Sequence, residues 1–290
     1  MSDQIRFGPA GNSESFAARG YKSSLQVPRY LNEMGLSAFE YQCGRGVNIS
    51  QQSAEALGEA CRAGGIAISL HAPYYISLSG AEEEKRLNSV RYILQSAQAV
   101  SWMGGRRIVV HSGSCGKMSR EEALALALDT MALARKELDA QGLSQVRICP
   151  EVMGKINQLG TVEEVLELCA ADERMLPCVD FGHLNARTGG GLKERADYAR
   201  VLETIENRLG EDRMKHFHIH FSHIEYTEKG GEKCHLTFGD TAYGPWFEPL
   251  AEELARRGCA PVVICESAGT QAEDAAAMRD IWNRIQEGTR

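Results

Sequence analysis

Eight times along the chain a short apolar run that reads as a β-strand is followed by a stretch that reads as a helix, and from the third run onward each strand finishes on His, Asp or Glu. The runs are Arg6 to Pro9, Ala38 to Gln42, Ile66 to Leu70, Arg107 to Val110, Val146 to Pro150, Leu176 to Val179, Lys215 to Phe221 and Pro261 to Cys265. Such alternation builds a parallel sheet covered by helices. Eight units in one chain point to a (β/α)8 TIM barrel, with a doubly wound open sheet as the alternative. With 290 residues and 43% apolar content the chain can bury one large core, so residues 1–290 read as a single domain.

The helical stretches carry their own signals. Leu87, Val90, Leu94 and Ala97 form an apolar stripe at spacings of three and four, and Leu124, Leu128 and Met131 form another. Ser119 with Glu122, Thr161 with Glu164 and Thr270 with Glu273 have the spacing of capping boxes, which satisfy the free N–H groups of a helix start. Further helices are expected between Tyr21 and Met34, from Gln51 to Ala63, from Lys193 to Arg208 and from Phe247 to Arg257. Ser222 to Pro245 is a long connection. The Gly189-Gly190-Gly191 run lacks the Lys and Ser/Thr of a phosphate loop and reads as a plain loop.

Strands three to eight finish on His71, His111, Glu151, Asp180, His218 and Glu266, and closure of a barrel gathers these ends into one ring. An isolated Asp-x-x-His such as Asp180 and His183 is most simply a capping Asp beside a surface His. The recurrence around the ring changes that reading. The 8 histidines fall at or just beyond strand ends, His183 and His235 among them, and none lies in an expected helix. His216, His218 and His220 share one face of their strand because side chains alternate. Mixed imidazoles and carboxylates suit zinc, with manganese or iron as alternatives. The donors exceed the roughly three that one catalytic zinc takes, which favours two or three ions with Glu151 as the bridging carboxylate. Such clusters suit phosphodiester hydrolysis by metal-activated water.

Composition excludes some classes. A net charge of −7 gives no global attraction to nucleic acid, so a DNA-binding rim must rest on local cations: Arg45, Lys117, Arg187, Lys193, Lys229 and Lys233 fall in loops on the expected active face. The 9 cysteines, without a Cys-x-x-Cys pair, read as reduced and mostly buried. No apolar run reaches the roughly 18 residues of a membrane span, and Met1 to Gly8 has no signal-peptide pattern. A cytoplasmic monomer is expected.

From Phe7 to about Ile285 the sequence resembles the endonuclease IV family of abasic-site DNA endonucleases, within the xylose-isomerase-like barrels. The motifs are His71-Ala72-Pro73-Tyr74-Tyr75-Ile76, Val110-His111-Ser112-Gly113, Pro150-Glu151, Val179-Asp180-Phe181-Gly182-His183, His218 and Glu266. The resemblance implies a zinc endonuclease of DNA base-excision repair that cleaves damaged double-stranded DNA 5′ to an abasic site. Glu151 and Glu266 are the expected catalytic carboxylates. It implies one ion on His71, His111 and Glu151, a second on Glu151, Asp180, His218 and Glu266, and a third on His183, His235 and an Asp two residues before His235. Arg45, Tyr74 and Tyr75 fall where the family inserts side chains into DNA. Two departures stand out. The family's His-x-Asn-Asp-Ser reads His218-Ile219-His220-Phe221-Ser222 here, and Lys233 occupies the place of the third-ion Asp. An ammonium cannot ligate zinc, so either Glu232 replaces the Asp by a local shift, or the third ion is weak or absent and Lys233 offers a positive charge to a substrate phosphate. His220 and Lys233 are therefore expected on the substrate side. The alternatives are a divalent-metal sugar isomerase or epimerase using Glu151, Asp180, His218 and Glu266 alone, and a metal- or DNA-binding relative without turnover.

Overall fold

The structure, a computed structural model, describes residues 4–288. The strands are β1 (Arg6–Pro9), β2 (Ala38–Gln42), β3 (Ala67–His71), β4 (Arg107–Val110), β5 (Arg147–Pro150), β6 (Cys178–Asp180), β7 (His218–Phe221), β8 (Ile224–Thr227), β9 (Gly231–His235) and β10 (Val262–Cys265). The helices are α1 (Glu14–Ala18), α2 (Val27–Glu33), α3 (Gln51–Ala63), α4 (Glu83–Trp102), α5 (Arg120–Ala140), α6 (Val162–Ala170), α7 (Phe181–Arg187), α8 (Arg195–Leu209), α9 (Glu211–Lys215), α10 (Phe247–Arg256) and α11 (Gln271–Gly288).

Two parallel sheets, ordered β1-β10-β7-β6 and β2-β3-β4-β5, meet through backbone bridges from Ala10 to Glu40 and from Glu151 to Cys178. The second junction closes an eight-stranded TIM barrel and rules out the open sheet. The antiparallel pair β8 and β9 is a hairpin inserted between β7 and α10, within what reads from sequence as a featureless connection. At the first junction β1 and β2 approach so closely that a Cβ on Gly8 would lie 1.8 Å from the Ala38 carbonyl oxygen, so only glycine fits.

Strand alternation sorts the side chains into an outer and an inner set. Outward residues such as Ile108, Val110, Ile148, Val179, Ile219 and Val263 are buried against the helices in one large core. The α4 face in that core is Val90, Ile93, Ala97 and Val100, whereas Leu87, expected in the stripe, is 47% exposed. The capping boxes at Ser119 with Glu122 and Thr161 with Glu164 form as expected. The third does not: the Thr270 hydroxyl donates to Asp274, and the N–H of Ala272 is satisfied by Ser13 from the start of α1.

Inward residues form three levels. Arg6, Arg107, Arg147, His216 and Val262 line the amino-terminal floor. Small apolar groups, Val109, Cys149 and Cys178 on one side and Ala38 and Ile264 on the other, fill the middle. Acids and imidazoles occupy the carboxyl-terminal mouth. Eight of the cysteines are buried, Cys234 is exposed, and all are free. Among the described residues no helix is long and apolar enough to cross a membrane.

Candidate metal centre

The mouth cavity, about 630 Å3, is lined by His71, Tyr74, His111, Glu151, His183, His235 and Glu266, together with Lys155, Gln158, Glu232 and the edge residues Gln42 and Gln271. Glu151 is its centre and is fully buried. Its two oxygens face different donors. Oε2 lies 3.3 Å from His71 Nε2 and 3.2 Å from His111 Nε2, while Oε1 lies 3.0 Å from His220 Nδ1 and 3.5 Å from His183 Nδ1. Ligand atoms about 2.0 to 2.1 Å from a tetrahedral zinc stand roughly 3.3 Å apart, which is close to the distance of each of these two imidazoles from Oε2, and His71, Glu151 and His220 can place donor atoms within 4.8 Å of one another.

Neighbouring carbonyls set the ring orientation. His71 Nδ1 is 2.8 Å from the Ala72 carbonyl, and His183 Nδ1 is 3.1 Å from the Val152 carbonyl. With Nδ1–H given to a carbonyl, Nε2 is the nitrogen that would meet an ion; in His71 it faces Glu151 and in His183 it faces Glu232. Asp180 caps α7 by accepting the His183 N–H at 2.7 Å through Oδ1, while its buried Oδ2 has no hydrogen bond and lies 3.2 Å from His183 Nδ1 as an ion pair. Glu151, Asp180, His220 and Glu266 can place donor atoms within 4.8 Å of one another, a set that could hold a cation. His183, of the expected ligands, sits in a helix, the first turn of α7, rather than in a loop.

His218 is displaced from the expected centre. β6 pairs with β7 so that Asp180 is level with His220 and Cys178 with His218. His218 therefore lies one inward position deeper, with Nε2 3.0 Å from Glu40. His220, expected on the substrate side, is instead fully buried in the donor cluster. The sequence offered a usable signal: the other donors occupy the last inward position of their strand or the residue just beyond, and in β7 that position is His220.

Glu40, on β2, has no counterpart in the sequence reading. It is fully buried beneath the centre. Oε2 accepts from Ser69 Oγ at 2.9 Å and lies 3.0 Å from His218 Nε2, while Oε1 stands 2.9 Å from His220 Nε2. His220 is thus held between Glu40 and Glu151. Burial alone would raise both carboxyls, but His220, with His218 at Glu40 and with His111 and His183 at Glu151, holds each well below the ordinary range. Burial lowers His218 to about 4, against the opposing pull of Glu40. Burial also opposes charge on His183, but Asp180, Glu151 and Glu232 outweigh it and raise that imidazole to about 10. Glu266 is pushed up by burial and by Glu151, against the pull of His220.

A bulge in the hairpin decides between Glu232 and Lys233. Glu225 pairs with Cys234 but Tyr226 pairs with Glu232, so Lys233 is the extra residue. Strict alternation would turn 233 and 235 to one face; the bulge brings Glu232 and His235 to the cavity instead. Glu232 Oε2 is 3.6 Å from His183 Nε2, and the His183 and His235 rings are 5.4 Å apart. Lys233 points outward to Glu225 at 2.6 Å and does not line the cavity. Gly154 makes room for this arrangement: a Cβ there would stand 2.6 Å from Glu232 Cβ and 2.9 Å from His183 Cδ2.

The other expected contact residues divide. Tyr74 lines the cavity, its ring 5.4 Å from both His71 and His111. Tyr75 is turned towards Tyr92 of α4, and Arg45 is exposed without lining the cavity. Arg187 is not a free rim cation: its guanidinium donates to the carbonyls of Met153, Lys155, Ile156 and Gln158. Arg120 binds two of those carbonyls as well. The loop so fixed carries Lys155 and Gln158 into the cavity, both absent from the sequence reading.

A barrel with clustered acids and imidazoles at its carboxyl-terminal mouth defines a class, and comparison with known proteins supplies the family. The chain belongs to the xylose isomerase-like TIM barrel family, whose model matches residues 28–284. It is 33% identical over 279 residues to an uncharacterized protein of Methanocaldococcus jannaschii, covering 96% of this chain and 97% of that one. It is 26% identical over 189 residues to a probable endonuclease 4 of Acholeplasma laidlawii, covering 63% of this chain and 62% of the relative, so it spans less than two thirds of that protein. Among solved structures, a D-tagatose 3-epimerase-like protein is similar at a TM-score of 0.71 and 20% identity, covering 98% of this chain and 97% of that one. Endonuclease IV from Thermus thermophilus is similar at 0.65 and 21% identity, covering 98% and 99%. At these identities the structural likeness speaks to the fold alone.

Proposed function

We propose that this chain is a metal-dependent phosphodiesterase that cleaves double-stranded DNA 5′ to abasic sites. The observation that carries the reading is the division of Glu151, Oε2 towards His71 and His111 and Oε1 towards His220, with a third donor group, His183, His235 and Glu232, bordering the same cavity. A single-ion sugar enzyme has no use for the outer imidazoles. Likeness to curated endonuclease 4 sequences supports the same choice.

In this reading His71, His111 and Glu151 hold one ion, Glu151, Asp180, His220 and Glu266 a second, and His183, His235 and Glu232 a third. Zinc suits this nitrogen and oxygen set, and manganese or iron would also be accepted by it. Divalent ions so held supply Lewis-acid neutralisation of a phosphodiester and a water of lowered pKa. The chain's own groups do the rest. Carbonyls of Ala72 and Val152 fix the orientation of His71 and His183. Lys155 brings a cation into the cavity for phosphate, and Tyr74 offers a ring face at the rim, partly exposed for contact with the substrate.

One observation favours a second reading, a sugar epimerase. Glu151, Asp180, His220 and Glu266 form a complete four-donor set by themselves, with two carboxylates suited to moving a proton at carbon. Incubation with a duplex carrying one abasic site, with metal content measured on the same sample, separates the two. The nuclease reading expects 5′ incision by wild type, none by Glu151→Gln, and two or more ions per chain. One ion per chain and an intact duplex would refute it, and turnover of a ketose would establish the alternative.

A further inference from the structure

The opposite end of the barrel holds a second concentration of charge. Arg6, Arg107 and Arg147 occupy the first positions of β1, β4 and β5, and with Arg106 and His216 they line one cavity of about 230 Å3. Arg107 and Arg147 are direct neighbours in the register of β4 and β5, so their side chains leave adjacent strands on the same, inward side. Arg107 crosses the floor to donate to the His216 carbonyl at 2.9 Å and the Phe217 carbonyl at 3.2 Å. Arg6 donates to the Gly65 carbonyl at 2.9 Å.

Among the described residues no carboxylate lines this cavity, and none of the four arginines is ion-paired. The chain is acidic overall, with 39 acids against 32 bases, and several other arginines do find carboxylates: Arg120 with Glu164, Arg135 with Asp139 and Asp172, Arg174 with both of those aspartates, and Arg257 with Glu203 and Glu206. Among the described residues the guanidiniums of Arg106 and Arg147 have no hydrogen-bond or ion-pair partner. Like charges set side by side and partly withdrawn from water repel, and burial together with Arg147 lowers Arg107 below the usual arginine range. These cations lack a counter-charge among the described residues.

We propose that the amino-terminal floor of the barrel is a binding site for a small phosphate-type oxyanion, gripped by Arg147 and Arg106 against the fixed guanidiniums of Arg107 and Arg6. Arginine's planar fork matches phosphate oxygens in pairs. The volume is below the roughly 300 to 1,000 Å3 of pockets that enclose whole small molecules, so the ligand is free phosphate or the terminal phosphate of a monoester whose remainder stays outside. The site is independent of the metal centre at the other end.

Calorimetric titration of the full chain with inorganic phosphate at constant ionic strength tests the proposal, with methyl phosphate as a second arm to separate the free ion from a monoester. Wild type and Glu151→Gln are expected to show the same saturable phosphate site, because Glu151 belongs to the mouth. Arg147→Gln and Arg106→Gln are expected to weaken it at least tenfold while abasic-site incision stays at the wild-type rate. Arg106 is exposed in a loop, so that variant reports on the site even if Arg147→Gln fails to fold. Methyl phosphate binding as tightly as phosphate assigns the site to monoesters; weaker binding assigns it to the free ion. Absence of saturable binding in wild type, or unchanged affinity in the arginine variants, overturns the proposal. Loss of binding in Glu151→Gln alone places the phosphate at the metal centre and overturns it equally.

Discussion

Replacing Glu40 by Gln isolates the support beneath the centre from the centre itself. The substitution keeps the shape of a fully buried side chain that touches Ser69, His218 and His220, and removes its charge. One hydrogen bond, from His218 at 3.0 Å, and one close ion-pair contact, to His220 at 2.9 Å, lose their carboxylate. A hydrogen bond to a charged group is worth about 1.5 to 3 kcal/mol, and an amide recovers part of that while the ion pair is lost, so a net loss of about 2 kcal/mol is expected. For a domain of this size that corresponds to a fall of roughly 4 to 8 °C in Tm. His220 would also lose the group that orients its ring from behind, and loss of an orienting partner typically costs about 10- to 100-fold in metal affinity. Competition for metal against a chromophoric chelator, run beside thermal melts, reads both effects. If Glu40→Gln holds metal as tightly as wild type, while Glu151→Gln does not, then Glu40 is a packing residue and the reasoning fails.

Three further outcomes follow from the geometry. Gly154→Ala pushes a methyl group into Glu232 and His183, and is expected to remove about one ion per chain by elemental analysis while the barrel's circular dichroism is unchanged. Lys233→Ala removes a side chain that faces Glu225 outside the cavity; incision within about twofold of wild type is expected, and a large loss would restore Lys233 to the substrate side. Glu253 is held at about 2 by Arg256, and by Arg195 and Arg257 against the effect of burial. A depressed carboxyl stabilises the fold above its unfolded value near 4.5 and loses that contribution as pH falls towards 2. Wild type should therefore lose stability relative to Glu253→Gln across that window in acid melts, and parallel curves would contradict it.

The barrel was legible because each level of the sequence agreed. Apolar runs alternate with helical stripes, and two of the three capping boxes stand where they are expected, at Ser119 and Thr161. The donors at the mouth were legible wherever a strand ends on a donor, as with His111 and Glu151. The reading failed where register rather than residue type decides. His218 and His220 differ only in depth, and depth is fixed by pairing with Asp180 on a strand some forty residues earlier. Glu40 and Ser69 lie within strands and give no local sign that they meet each other or that Glu40 meets His218. The Lys233 bulge is a property of two paired strands, and Arg187 looks like any loop cation until its carbonyl partners fold back onto it.

The donors at the mouth come from two separable pieces of backbone. His71, His111, Glu151, Asp180, His220 and Glu266 are brought together by closure of the eight strands. Glu232 and His235 ride on the hairpin between β7 and α10, which adds no strand to that closure. In the proposed reading, the number of ions the mouth can hold is therefore set in part by the length and register of one surface insertion, separately from the ring of strands.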